Sequence, residues 1–338
     1  LPTLPSAVNA RSFLEIPDAS KPLAPQVHDA ILSWLPDPKV LKNAEVVMYL
    51  GSGRKEVRCK ADGTFNYKPG DPEFGVVVTF FAYMFQMELM KKWGLNPPTK
   101  QMSIFVDDPS VRDNAYFDGE NYEIHIGIGS GAPNGLTRYI CFDIGVTWHE
   151  NGHHLVFLQT PGNDLPGAEG GAIHESMGDV LGQLLMNWYW QVEFGAQLKR
   201  SLTAADVAAA DRIIGKFALP PHGIRDQKNK MRTPQDRTGE VHDDGLISGG
   251  AQADLLVALI NAATSVKEGL EQFGRLSLTA MSLVPAHKVT FVDLLNAYLA
   301  ADQRLYTGNN KSAISKAFAD HGIVLKSKSK SPFIIVLD

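Results

Sequence analysis

The chain has 338 residues, a formal net charge of -5, 44% hydrophobic and 20% charged residues. Such a length can bury a large core, as one large domain or two packed parts. The mild negative charge argues against a nucleic-acid binder, which usually carries a basic surplus.

The first forty residues are rich in Pro and irregular, with one short helical candidate over 26–34. The chain starts at Leu1 and shows no apolar signal segment, so a processed form is the expectation. Two strand-like runs follow, Val46–Leu50 and Lys55–Cys59, joined by Gly51-Ser52-Gly53. Phe74–Trp93 has helical periodicity and stops at Gly94. Its apolar stretch, Val76–Phe85, is too short to span a bilayer, and no membrane association is expected. Met102–Val106 and Tyr122–Ile128 look like strands, with Asn114–Phe117 extended between them. A helix is expected over 143–158, a Gly/Pro loop over 160–171, and a second helix over 172–190. Strand signals then fade. Helices are expected over 204–217, 248–264, 266–281, 289–305 and 312–322, and the Lys/Ser alternation of 326–331 leads to a terminal apolar strand. The class is therefore α+β, in two parts: a mixed part over 1–160 and a mainly helical part over 161–338. Cys59 and Cys141 could form one disulfide or stay free; the sequence leaves both open.

The stretch that carries chemistry is His149-Glu150-Asn151-Gly152-His153, an H-E-x-x-H on the expected helix. Residues i and i+4 share a helical face, so both imidazoles can address one ion, with Glu150 in reach of a water on it. A third ligand is needed. Glu175 stands 22 residues after His153, and Asp179 follows one turn later on the same face. His149, His153 and Glu175 would complete a zinc site, and Asp179 could orient one imidazole through its other nitrogen. His154 lies off the ligand face, and a structural role is expected for it. Gly152 costs about 1 kcal/mol of helix propensity against Ala; close packing is one reason to keep it.

These blocks resemble the gluzincin metallopeptidases, and within them the thermolysin-like group (thermolysin and fungalysin types). That group pairs H-E-x-x-H with Gly-Ala-Ile-x-Glu-x-x-x-Asp, here Gly171-Ala172-Ile173-His174-Glu175 through Asp179. The resemblance implies a two-lobed fold with the zinc helix between the mixed and helical parts. It implies that Asn114 and Ala115 begin an edge strand that binds substrate backbone, and that Arg225, after Ile224, binds a substrate carbonyl. In the same way, His242, in Val241-His242 followed by Gly245 and Ser248-Gly249, would steady the transition state. Val146 and Ile224 are candidates for an apolar prime-side pocket. The likeness runs through scattered blocks over about residues 70–325.

Some features depart from the family. No Tyr stands between His154 and Glu175, so the oxyanion-stabilising Tyr has no counterpart there. Met186 occupies the position of one calcium-binding acid, and Asp143 precedes His149 by six residues rather than four. Calcium is left open, with these two positions against a paired site. The reading is a zinc-dependent endopeptidase, one Zn²⁺ per chain, using a zinc-activated water and Glu150 as general base. It would act on proteins or peptides as a secreted monomer. An exopeptidase of the same clan is one alternative; the Gly-x-Met-Glu-Asn-type motif of its aminopeptidases is missing. A catalytically inactive zinc-binding interaction protein is the other; Glu150 beside both His argues against it.

Overall fold

The structure is a computed structural model that describes residues 25–131, 135, 136, 138–189, 191, 202–210, 212–219 and 222–325. After a short helix α1 (Pro25–Ser33), the chain builds a five-stranded sheet in the order β2-β1-β3-β5-β4. The strands are β1 (Val46–Leu50), β2 (Lys55–Glu56), β3 (Met102–Arg112), β4 (Ala115–Asp118) and β5 (Glu123–Ile128). The central pairs β1–β3 and β3–β5 are parallel, while β2 and β4 join antiparallel at the two edges. Alternation along β3 and β5 sends Ile104, Val106, Ile124 and Ile126 into the core.

Helix α2 (Pro72–Trp93) connects β2 to β3. Pro72 opens it, Lys91 and Lys92 sit in its last turn, and Gly94 ends it at φ 106°. It is apolar on nearly every side and buried along most of its length, as a central core helix must be. Two long helices follow: α3 (Ile144–Gln159), which carries the H-E-x-x-H run, and α4 (Ala168–Tyr189). Then come α5 (Ala204–Ala209), a two-stranded ribbon of β6 (Ile213–Ile214) and β7 (Arg225–Asp226), and α6 (Val241–Ala262). Helices α7 (Val266–Met281), α8 (Phe291–Tyr306) and α9 (Lys311–Asp320) complete the described chain. One hydrophobic cluster extends from Ile31 to Ile323 through the sheet side and the helical side. The architecture is mixed α and β, with strands concentrated before α3.

Several boundaries differ from expectation, each for a physical reason. Strand β3 runs on to Arg112 through Asp107 (φ 54°) and a register shift, which the polar Asp107-Asp108-Pro109 run hides. The helix expected over 204–217 stops at Ala209. Ile213 and Ile214 instead pair with Asp226 and Arg225, and Gly215 (φ 70°) closes against the Ile224 side chain. Local Ala content favours helix there, but a partner strand across an intervening loop decides otherwise. Helix α4 begins at Ala168, inside the expected Gly/Pro loop; its first turn lies so close to the Leu165 carbonyl that position 170 has no room for a side chain, and the glycine that serves this packing masks the helix in sequence. Helix α6 begins at Val241, seven residues before the expected start at Ser248. Glu240 caps it by accepting from Asp243 N–H, and Asp243 and Asp244 favour its positive end. Its glycines conceal the helix in sequence but let it lie close on α4, where a Cβ at Gly245 would be 3.0 Å from the Ala172 carbonyl oxygen. Cys59 and Cys141 are both free. The expected terminal strand falls outside the described residues.

Candidate metal centre and cleft

Helix α3 starts where Asp143 accepts from Gly145 N–H at 3.0 Å. The other Asp143 carboxylate oxygen accepts from Phe217 and Ala218 N–H at 3.0 and 2.9 Å. One carboxylate thus ties the start of α3 to the segment after β6. Helices α3 and α4 then meet at two glycines, since a Cβ at Gly152 would lie 2.6 Å from Gly178 Cα. That contact brings the imidazoles of α3 against the carboxylates of α4.

His149, Glu150 and His153 each place a candidate ligand atom within 4.8 Å of the others. The outer nitrogens of both imidazoles are already engaged. His149 Nδ1 is 2.7 Å from Asp179 Oδ1, and His153 Nδ1 is 2.6 Å from His174 Nδ1. The two Nε2 atoms face Glu175: His149 Nε2 is 3.4 Å from Oε2, and His153 Nε2 is 3.6 Å from Oε1. Two ligand atoms bound tetrahedrally at about 2.1 Å from one zinc ion stand about 3.4 Å apart. The donor set therefore fits zinc in both chemistry and spacing. Glu175 Oε2 is also a buried acceptor with no hydrogen-bond donor, the kind of group an ion satisfies.

Burial alone would push both Asp179 and Glu175 up. The Arg225 and His149 charges outweigh it at Asp179, and His149 and His153 do so at Glu175, leaving each at about 2. For His149 burial lowers the value, but Asp179 and Glu175 override it and raise the ring to about 10. A metal ion would compete with that proton. Burial and the His149 charge hold His153 well below the usual range, and burial brings His174 down to about 4. Glu150 is 5% exposed, and burial, partly offset by the His149 charge, lifts it to about 7.

Arg225 reaches this centre from β7. Its Nε and Nη2 donate to the two Asp179 oxygens at 2.7 and 2.8 Å, and Nη2 lies 3.5 Å from Glu175 Oε2. Gln227 Nε2 also donates to Asp179, at 2.7 Å. The centre opens on a cleft of about 980 Å³. Edge strand β4, with Asn114 just before it, lines one wall; Val146, Leu219 and Ile224 form an apolar stretch. His242, in the first turn of α6, lies at the exposed rim, with Nε2 3.6 Å from Glu175 Oε2 and Nδ1 2.6 Å from Glu240 Oε1.

The sequence profile of the fungalysin metallopeptidases (M36) matches residues 82–326, a span that includes every group just described. The chain belongs to the fungalysin family. Among its relatives are a probable extracellular metalloproteinase 4 from Trichophyton verrucosum (strain HKI 0517), 29% identical over 210 residues, and the extracellular metalloproteinase 4 of Trichophyton tonsurans, 30% identical over 210 residues. That of Arthroderma benhamiae is likewise 30% identical over 210 residues. In each case the match covers 54% of this chain and 30% of the relative's length.

Within this fungalysin-family chain the structure brings Asn114, Ala115, Val146, His149, Glu150, His153, Glu175, Ile224, Arg225 and His242 to one cleft. Asp179 lies behind His149 and is 2% exposed at its side chain. His154 points the other way: Nε2 bonds the Tyr122 hydroxyl at 2.8 Å, and Nδ1 bonds Asn151 Oδ1 at 3.0 Å. Sequence reasoning missed Gln227, His174 and the anchoring role of Asp143. His174 had a legible signal, an imidazole next to an expected ligand on the same helix. Gln227 had none, because its approach depends on the β6–β7 ribbon.

Proposed function

We propose that this chain carries the catalytic centre of a secreted zinc-dependent endopeptidase. The observation that carries the reading is the pair of imidazole Nε2 atoms facing Glu175 at 3.4 and 3.6 Å, with buried Glu150 alongside. His149, His153 and Glu175 would hold the ion. Zinc, when bound, supplies Lewis acidity for a carbonyl and lowers the pKa of water.

The protein's own groups do the rest. Burial raises the proton affinity of Glu150, which stands beside both imidazoles, so it can take a proton from the attacking water and return it to the leaving amine. Asp179 holds His149 in the tautomer that presents Nε2. The same carboxylate fixes the Arg225 guanidinium through Nε and Nη2, which leaves Nη1 to donate to a substrate carbonyl at the cleft wall. Glu240, 2.6 Å from His242 Nδ1, orients the ring so that its Nε2 side stands near Glu175, where it can support the developing oxyanion. Strand β4 is the last in its sheet, so its outer edge can take an extended peptide by strand addition at Asn114 and Ala115. Val146, Leu219 and Ile224 would receive an apolar side chain. Secretion is in keeping with the relatives, which are named extracellular metalloproteinases.

The test is a quenched-fluorescent peptide library together with casein. The zinc-loaded protein should cut both, and a chelator should stop it. Glu150→Gln should lose peptide hydrolysis while keeping about one zinc per chain. Full activity in that variant, or no cleavage by zinc-loaded wild type, would overturn the reading.

A further inference from the structure

His174 has no role in the reaction outlined above, yet it makes the shortest contact to a candidate ligand. Its Nδ1 lies 2.6 Å from His153 Nδ1, with ring centroids 4.7 Å apart. His153 turns its other nitrogen, Nε2, toward Glu175. An imidazole that offers the Nε2 lone pair to an ion keeps its proton on Nδ1. His153 Nδ1 is then the donor and His174 Nδ1 the acceptor, which puts the His174 proton on Nε2. We propose that His174 is the positioning residue for His153, the counterpart of Asp179 at His149.

The inference rests on the zinc reading and deepens it. The two ligating imidazoles are held by unlike partners. A carboxylate, itself bound by Arg225 and Gln227, holds His149. A neutral ring nitrogen holds His153. A hydrogen-bond acceptor behind a ligating imidazole fixes its tautomer and ring plane and raises its basicity. The adjacency of His174 and Glu175 makes this economical, because one turn of α4 supplies both a ligand and the support for another. His174 also lines the cleft, so the support belongs to the substrate wall as well.

The test measures zinc affinity of the full chain by competition with a chromophoric chelator, with circular dichroism and unfolding of the metal-free proteins alongside. His174→Leu removes the acceptor and should weaken zinc binding about 10–100-fold. His174→Asn offers an amide oxygen to the same N–H and should recover most of that loss. A merely structural role would lower metal-free stability and leave affinity unchanged. If the Leu variant does not fold, His174→Ala makes the same deletion with less bulk. Zinc binding by the folded deletion variant equal to wild type, or no recovery with Asn, overturns the role of His174. Wild-type protein that takes up no zinc overturns the metal reading itself, so the two failures are distinct.

Discussion

Replacing Gly152 by Ala tests whether the close approach of α3 and α4 sets the metal geometry. A Cβ at Gly152 would lie 2.6 Å from Gly178 Cα, while non-bonded carbons rest at about 3.5–4.0 Å. The helices must separate by about 1 Å to relieve that contact. Glu175 lies three residues before Gly178 on α4 and moves with it. Zinc ligands tolerate displacements of only about 0.2 Å. Overpacking costs about 1–3 kcal/mol, and the better helix propensity of Ala returns about 1 kcal/mol. Metal-free stability should therefore fall by only about 0–2 kcal/mol. Zinc affinity should fall by at least the roughly 10–100-fold typical of losing one support of a ligand. At saturating zinc, a hundredfold loss removes about 2.7 kcal/mol of the metal-linked stabilisation. Chelator competition reads the affinity, and thermal unfolding with and without zinc reads the linkage. Gly152→Ala binding zinc as tightly as wild type would refute the argument that helix proximity sets the site.

Gly178→Ala should also weaken zinc binding, because its Cβ would meet His149 Nδ1 at 2.8 Å and compete with Asp179; unchanged chelator competition would count against this. Asp179→Ala leaves the Arg225 guanidinium, 13% exposed at its side chain, without its closest counter-charge, and should destabilise the fold by about 3–5 kcal/mol. Urea denaturation measures it, and a loss below about 1 kcal/mol would show the pair to be dispensable. Asp254→Asn probes a separate network, in which Arg212 donates to Asp254 at 3.0 Å and Lys230 and His321 lie at 3.4 and 3.5 Å. Burial pushes the Asp254 carboxyl up, but the nearby His321 ring nitrogen and the Arg212 hydrogen bond outweigh it and hold it well below the usual range. Its contribution, about 1.5–3 kcal/mol, is complete above the unfolded value. It shrinks as pH falls below about 4 toward the folded value. The difference between wild type and Asp254→Asn should thus be flat from neutral pH to about 5 and narrower at pH 3; an equal difference at pH 3 would contradict the assignment.

The H-E-x-x-H run was legible because helical periodicity alone puts positions i and i+4 on one face. Glu175 and Asp179 were legible for the same reason, as two positions one turn apart. The long helices α2, α3, α4 and α7 were readable from apolar spacing and from stops such as Gly94. Where glycines served packing, local propensity misled. Gly170 and Gly171 hid the first turn of α4, and Gly245, Gly249 and Gly250 hid the first turns of α6. His242 thus stands in the first turn of a capped helix, ahead of the start expected at Ser248.

Sequence by itself determined the chemistry on offer: which imidazoles and carboxylates exist, and which of them share a helical face. Those are consequences of a repeat of 3.6 residues and need no partner. Tertiary structure alone decided what each ring nitrogen meets. Two facing glycines set the distance between α3 and α4, the β6–β7 ribbon delivers Arg225 and Gln227 to Asp179, and His174 closes on His153. The physical reason is range. Periodicity acts over a turn or two, whereas the orientation of a candidate ligand ring depends on partners brought from segments more than twenty residues away, through packing that no local pattern encodes.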